Sequence, residues 1–114
     1  MNSQEEISVC ATLQALRWRV TRVTTHLKRQ TLHAFSHFDI LDCVELSGDI
    51  QLDKTVFDVL YFNPSIRVRE FMMSFLNALS SEYLGRSYLL QRKDIVKMLV
   101  SSLYGEGKQD SYLR

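Results

Sequence analysis

Two histidines stand four residues apart in the segment His33-Ala34-Phe35-Ser36-His37, a spacing that places both imidazoles on one face of a helix. A zinc site needs further ligands, and Cys43 is the only tempting addition nearby. The zinc-protease motif requires a Glu directly after its first histidine, where this chain has Ala34. We therefore expect neither a metal nor another cofactor. A metal-dependent enzyme that uses His33, His37 and Cys43 is kept as the minor alternative.

Other catalytic signatures fail on their spacing. The segment Gly105-Glu106-Gly107-Lys108 lacks the glycine spacing and the following Ser or Thr of a phosphate-binding loop. The chain has no Gly-x-Ser-x-Gly elbow to expose a nucleophilic serine, and it has no cysteine-protease signature. The sequence accordingly predicts a protein that is not an enzyme.

One segment of the chain is basic, because no Asp or Glu occurs between Glu6 and Asp39. Its candidate partner-binding residues, here called the basic strip, are Arg17, Trp18, Arg19, Arg22, Lys28 and Arg29. The strip could contact nucleic acid or a membrane surface through phosphates and Trp18, or it could bind acidic tubulin tails. Alternatively, its arginine stems cover apolar surface while Trp18 packs in the core or against the preceding repeat. The formal net charge of only +1 disfavours nucleic acid and membrane and favours contact with another protein.

A second candidate surface lies in the run Phe71-Met72-Met73 and the nearby Phe75. Helical spacing assigns most of these side chains to the core. Met73 and one of the phenylalanines are surplus to a single buried face, so we expect them to cover an adjoining repeat or a partner helix.

The composition is that of a single helical domain spanning residues 1–114. Hydrophobic residues form 46% of the chain, enough for a continuous core, and one Pro and four Gly are few for an all-β fold. No apolar run approaches a membrane span, and the start, MNSQEEISV, lacks the order of a signal peptide. Because Cys10 and Cys43 are its only cysteines, the chain is expected in the reducing cytoplasm.

Apolar periodicity predicts the helices of the first half. The first helix covers roughly 4–20 and begins with a capping box formed by Ser3 and Glu6. The second lies near 27–42. Ser, Gly and Asp at 45–49 then predict a loop.

The second half contains the strongest helical pattern. A short helix must stop before Asn63-Pro64, because the residue before a proline avoids helical geometry. Pro64 opens the next helix, which runs to about residue 82 and is broken by Gly85. A last helix is predicted to end at 104–107.

Four segments together resemble the armadillo repeat: Ile66-Arg67-Val68-Arg69-Glu70, Phe75-Leu76-Asn77-Ala78-Leu79, Gly85-Arg86-Ser87-Tyr88-Leu89-Leu90 and Ile95-Val96-Lys97-Met98-Leu99-Val100. The resemblance is clearest over 64–104. It implies an all-α, armadillo- or HEAT-like α-superhelix of about five or six antiparallel helices, each hairpin leaving an apolar face for the next. Such a fold binds other proteins through its helical surfaces.

One departure from the armadillo pattern affects mechanism. Armadillo proteins that bind extended peptides place an Asn one residue before the last Leu of the third helix, and here that position is Ala78. Asn77 lies one residue earlier, roughly 100° round the helix. Asn77 is therefore not expected to clamp an extended peptide. It remains, with Met73, a candidate partner-binding residue.

A closer resemblance involves Ala15-Leu16-Arg17-Trp18-Arg19-Val20-Thr21-Arg22, with 76–79 and 85–89. These segments resemble the armadillo region of the LisH-domain and armadillo-repeat proteins of the ciliary base. That resemblance implies a non-catalytic scaffold at the centriole, basal body or cilium, with microtubule-associated partners. The LisH motif is not seen, and Asp110-Ser111 looks like the start of another repeat. We therefore expect a piece of a longer solenoid that can self-associate through exposed repeat ends.

Overall fold

A computed structural model describes residues 2–43, 55–92 and 94–100. Its helices are α1 (Ser3–Thr21), α2 (Thr25–His37), α3 (Val56–Tyr61), α4 (Ile66–Ser80), α5 (Tyr83–Leu89) and α6 (95–100). The described part of the chain contains no strand, so the all-α class predicted from the sequence is confirmed. The predicted loop at 45–49, the end of the last helix and Asp110-Ser111 lie outside the described residues.

The first two helices differ from prediction at their ends. The capping box of α1 joins Asn2 and Glu5, so the predicted pair Ser3 and Glu6 was wrong by one residue. Helix α2 begins two residues before the predicted boundary, because the side chain of Thr24 caps it by accepting from the Leu27 N–H. It ends at His37 and not near 42, since the chain turns into left-handed geometry at Asp39 (φ 47°).

The boundary between α3 and α4 lies at Asn63-Pro64, as the sequence predicted. Thr55 and Asp58 form a capping box at the start of α3. After α3, the amide side chain of Asn63 donates to the Val59 carbonyl and accepts from the Ser65 N–H. Ser65, directly after Pro64, then caps α4 by accepting from the Val68 N–H. A side-chain network thus supplies the hydrogen bonds that the interrupted helix leaves open.

Gly85 does not break a helix, which corrects the sequence-based assignment. It lies buried in the middle of α5, and the chain turns earlier, at Ser81 and Glu82. An ideal Cβ atom at Gly85 would lie 2.8 Å from the carbonyl carbon of Leu79, at the end of α4. Glycine is therefore used here for close approach of two helices and not for a turn.

The core forms around α4, which packs against α1, α3 and α5, while α2 contacts α1 and α5. The α4 side chains that carry this packing are fully buried: Val68, Met72, Phe75 and Leu79. Phe75 meets Phe35 of α2 edge to face, with ring centroids 6.0 Å apart. This central helix fixes α1 and α2, and with them the basic strip.

Candidate interaction surface

The basic strip is divided between two helices. Arg17, Trp18 and Arg19 belong to the last turns of α1, and Arg22 is its C-terminal cap. Lys28 and Arg29 lie in the first turns of α2. The two groups have different surroundings and are best described separately.

The α1 part of the strip is built around an exposed tryptophan. Trp18 is 38% exposed, so the alternative that places it in the core is wrong. The guanidinium of Arg22 lies over its ring, 4.4 Å from the centroid. Arg17 donates through Nε to Oε1 of Gln14 at 3.1 Å. Trp18 is thus partly exposed and has a cation over its ring.

The α2 part of the strip lines a cavity of about 300 Å³ between α2 and α5. Its lining residues are Thr25, Lys28, Arg29, Leu32, His33, Glu82, Tyr83 and Leu84. Leu32 is almost fully buried and Leu84 is half-buried, whereas Arg29, His33 and Tyr83 are exposed. The cavity therefore has an apolar base and a polar, mainly basic rim.

The charges at this rim are not balanced. Nζ of Lys28 pairs with Oε1 of Glu82 at 3.0 Å, which neutralises one cation and ties α2 to α5. Arg29 has no ion pair within the described part of the chain. A group that enters beside Arg29 and His33 finds a free guanidinium and an imidazole next to an apolar base. That combination suits a carboxylate on a short aliphatic stem.

Met73 and Asn77 are both exposed, four residues apart on the same face of α4. Their neighbours Met72 and Phe75 are buried, as helical spacing predicts. Ala78, which stands where a peptide-clamping Asn would be, is itself only 7% exposed. Met73 and Asn77 are thus accessible, and they are not part of the cavity between α2 and α5.

The metal alternative receives no geometric support. His33 and His37 are exposed on α2, whereas Cys43 is fully buried in the segment that follows. No group of three His, Cys, Asp or Glu side chains within residues 2–43, 55–92 and 94–100 could hold a metal ion. Burial also raises the pKa of the Cys43 thiol to about 11, which keeps it neutral and a poor nucleophile near neutral pH.

Sequence reasoning missed two buried residues, Tyr88 and Arg92, whose polar side chains join separate segments of the chain. Tyr88 of α5 bonds to Asp39, just after α2. Arg92, only 5% exposed, pairs with Asp58 of α3 at 2.8 Å and with Asp94 at 2.6 Å. The available signal was weak: an Arg two residues before Asp94, and an Asp just after a helix.

None of the described helices is long and apolar enough to cross a membrane.

Comparison with known proteins gives one consistent set of relatives. The chain is 37% identical over 97 residues, 84% of its length, to mouse LisH domain-containing protein ARMC9. It is 35% identical over the same length to the human protein and over 98 residues to that of Xenopus laevis. It spans only 11% of each of these relatives. No family model and no solved structure matches the chain.

Proposed function

We propose, from the similarity to LisH domain-containing protein ARMC9, that this chain is a non-catalytic protein-binding segment of an ARMC9-like protein. Its helices would stack as armadillo-type repeats, each leaving an apolar face for a neighbour. Its site of action would be a centriole, basal body or cilium, with microtubule-associated proteins among its partners. The similarity over 84% of the chain supports this assignment.

The observation that carries a binding role is the cavity between α2 and α5, with the unpaired Arg29 at its rim. A partner would insert an acidic side chain, its carboxylate accepting from Arg29 and its stem resting on Leu32 and Leu84. Charge-assisted hydrogen bonds to a guanidinium are stronger than neutral ones. The ion pair between Lys28 and Glu82 holds this wall of the cavity in place before a partner binds. The cavity therefore favours acidic protein segments, including acidic tubulin tails.

A binding measurement tests this role directly. A fluorescein-labelled hexaglutamate peptide is titrated with the full chain, and anisotropy is followed at low and moderate salt. Binding should occur and should weaken by roughly tenfold or more in Arg29→Glu, because an attraction becomes a repulsion. Arg67→Glu provides the matched control, since Arg67 is exposed on α4 and does not line the cavity.

The rival classes give different results in the same assay. Binding of a single-stranded oligonucleotide or of anionic vesicles, stronger than binding of the peptide, would favour a nucleic-acid or membrane adaptor. Equal losses in Arg29→Glu and Arg67→Glu would mean that only net charge matters, and the cavity would have no special role.

The proposed location has its own experiment. The tagged chain, expressed in ciliated cells, should be enriched at basal bodies, and crosslinking with mass spectrometry should recover centriolar or microtubule-associated proteins. Recovery of metabolic enzymes alone would contradict a ciliary role.

A further inference from the structure

Thr25 has an exposed side chain and lines the cavity between α2 and α5. The two threonines before it have hydroxyls that are already engaged. The hydroxyl of Thr21 donates to the Arg17 carbonyl at 3.1 Å. Oγ1 of Thr24 accepts from the Leu27 N–H as the cap of α2. The Thr25 hydroxyl makes no hydrogen bond with any residue that the structure describes, so it is accessible to a modifying enzyme.

The residues before Thr25 carry a charge pattern that protein kinases recognise. Many kinases select substrates by charges at fixed distances from the accepting hydroxyl, and an arginine three residues before it is a common requirement. Arg22 occupies that position, and no other Ser or Thr of the chain has an Arg at this spacing. Residues 22–24 lie between α1 and α2, outside both helices, so a kinase can bind them in an extended form. Arg22 is exposed, and its contact with Trp18 is of the weak kind that surfaces allow.

Arg29 is placed to receive a phosphate on Thr25. The two residues are four apart on α2, a spacing that makes side chains neighbours, and both line the cavity. Helical side chains lean towards the N-terminus, so Arg29 leans towards Thr25. Lys28 is already held by Glu82 at 3.0 Å, whereas Arg29 has no ion pair among the described residues. A phosphate on Thr25, with roughly 1.5 to 2 negative charges at neutral pH, therefore has a free guanidinium beside it.

We propose that Thr25 is a phosphorylation site and that its phosphate, paired with Arg29, blocks the cavity to acidic partners. In the transfer, Oγ1 of Thr25 attacks the γ-phosphorus of ATP, and the bond from that phosphorus to the oxygen of the β-phosphate breaks. ADP leaves, and the hydroxyl proton passes to the catalytic Asp of the kinase. The phosphate then occupies the guanidinium that an incoming carboxylate needs, and it repels that carboxylate. The blocking rests on the acidic-partner function proposed above for the cavity.

Mass spectrometry locates the phosphate. The full chain is incubated with MgATP and activated calmodulin-dependent protein kinase II, which selects an arginine three residues before its target. We expect phosphate at Thr25, at a rate that falls roughly tenfold in Arg22→Gln, the scale for losing a hydrogen bond to a charged group. Arg67→Gln, exposed on α4, is the matched control, and circular dichroism should show native helix content in both variants. Phosphate at other residues only, or equal rates in the two variants, would overturn the site.

Phosphorus NMR tests the pairing with Arg29. The second pKa of the phosphate should be lower by about 0.5 or more in the phosphorylated wild type than in phosphorylated Arg29→Gln, because a neighbouring guanidinium favours the dianion. Phosphorylated Arg67→Gln should give the wild-type pKa. The same pKa in the wild type and in Arg29→Gln would overturn the pairing.

Peptide binding tests the blocking of the cavity. The labelled hexaglutamate peptide is titrated with the unmodified and the phosphorylated chain, and the dissociation constant should rise roughly tenfold or more on phosphorylation. Kinase-treated Thr25→Ala should keep the affinity of the unmodified chain. Undiminished binding by the phosphorylated chain would contradict the blocking. If the unmodified chain does not bind the peptide, the function proposed for the cavity fails and the blocking with it, while the site and its pairing are decided by the other two measurements.

Discussion

The hydroxyl of Tyr88 donates to Oδ1 of Asp39 at 2.6 Å and accepts from the Leu41 N–H at 2.9 Å. Asp39 has a φ of 47°, in the left-handed region that Asp tolerates better than most residues. One buried side chain of α5 therefore secures the turn that ends α2. Burial and the hydrogen bond to Asp39 both raise the pKa of Tyr88, so its hydroxyl stays protonated as a donor.

Replacing Tyr88 by Phe should destabilise the chain by about 1–3 kcal/mol, because the Leu41 N–H and the Asp39 carboxylate each lose a partner. The change keeps the ring and its packing, so any loss reports on the hydroxyl. Urea unfolding followed by circular dichroism measures it. Tyr83→Phe is the control, since Tyr83 is 73% exposed on the same helix, and it should leave stability nearly unchanged. Equal stability of the two variants would mean that the hydroxyl contributes nothing.

Gly85→Ala should destabilise the chain by about 1–3 kcal/mol, the usual cost of forcing a methyl group into a packed site. In an exposed helix the same change is stabilising, because alanine has the higher helix propensity. The sign is reversed here because the new Cβ would lie against the backbone of Leu79. Thermal and urea unfolding measure the effect, with Ser87→Ala, exposed on α5, as control. A more stable Gly85→Ala variant would show that α4 and α5 are not in close contact.

Arg92→Met should cost about 3 kcal/mol, the lower end for breaking a buried ion pair, because Asp58 is 22% exposed and regains some water. The guanidinium also lies 4.8 Å from the ring centroid of Phe57, so it joins α3 to the segment after α5 by two kinds of contact.

A double-mutant cycle with Asp58→Asn isolates the ion pair, and Arg67→Met serves as the control for loss of an exposed cation. Additive losses in the cycle would mean that Arg92 and Asp58 do not interact.

The buried thiol of Cys43 should make stability depend on alkaline pH. Burial raises its pKa from 9.0 to about 11 in the folded chain, partly offset by a hydrogen bond with Tyr88. Below pH 9 the thiol is neutral in both states, and stability is unaffected. As the pH rises from 9 towards 11 the unfolded thiol ionises first, so the free energy of unfolding falls, by at most about 2–3 kcal/mol.

Urea unfolding at several pH values between 7 and 11 measures this dependence. The comparison is between the wild type and Cys43→Ala, because the contributions of the other ionisable groups are common to both proteins. A difference between the two proteins that stays constant with pH would rule out the contribution of the thiol.

The sequence by itself determined the helical class and most helix positions. Local signals suffice for these: the apolar spacing of α4, the break at Asn63-Pro64 and the alternation of buried and exposed residues around Met72 and Met73 all follow from neighbours a few residues away. The same local rules misplaced the cap of α1 by one residue and the end of α2 by about five, because Asn2 competes with Ser3 and a left-handed Asp39 stops the helix.

Only the tertiary structure decided what depends on distant segments. The residues of the basic strip lie in one segment of the sequence, yet the fold separates them. Trp18 is exposed on α1, whereas Arg29 lines the cavity between α2 and α5. From the sequence Gly85 is predicted to break a helix, and only the structure shows that it packs against the backbone of Leu79. Tyr88 and Asp39 are 49 residues apart, and no periodicity links them. Close packing of helices brings such pairs together, because a buried polar group must find its partner wherever the chain supplies one.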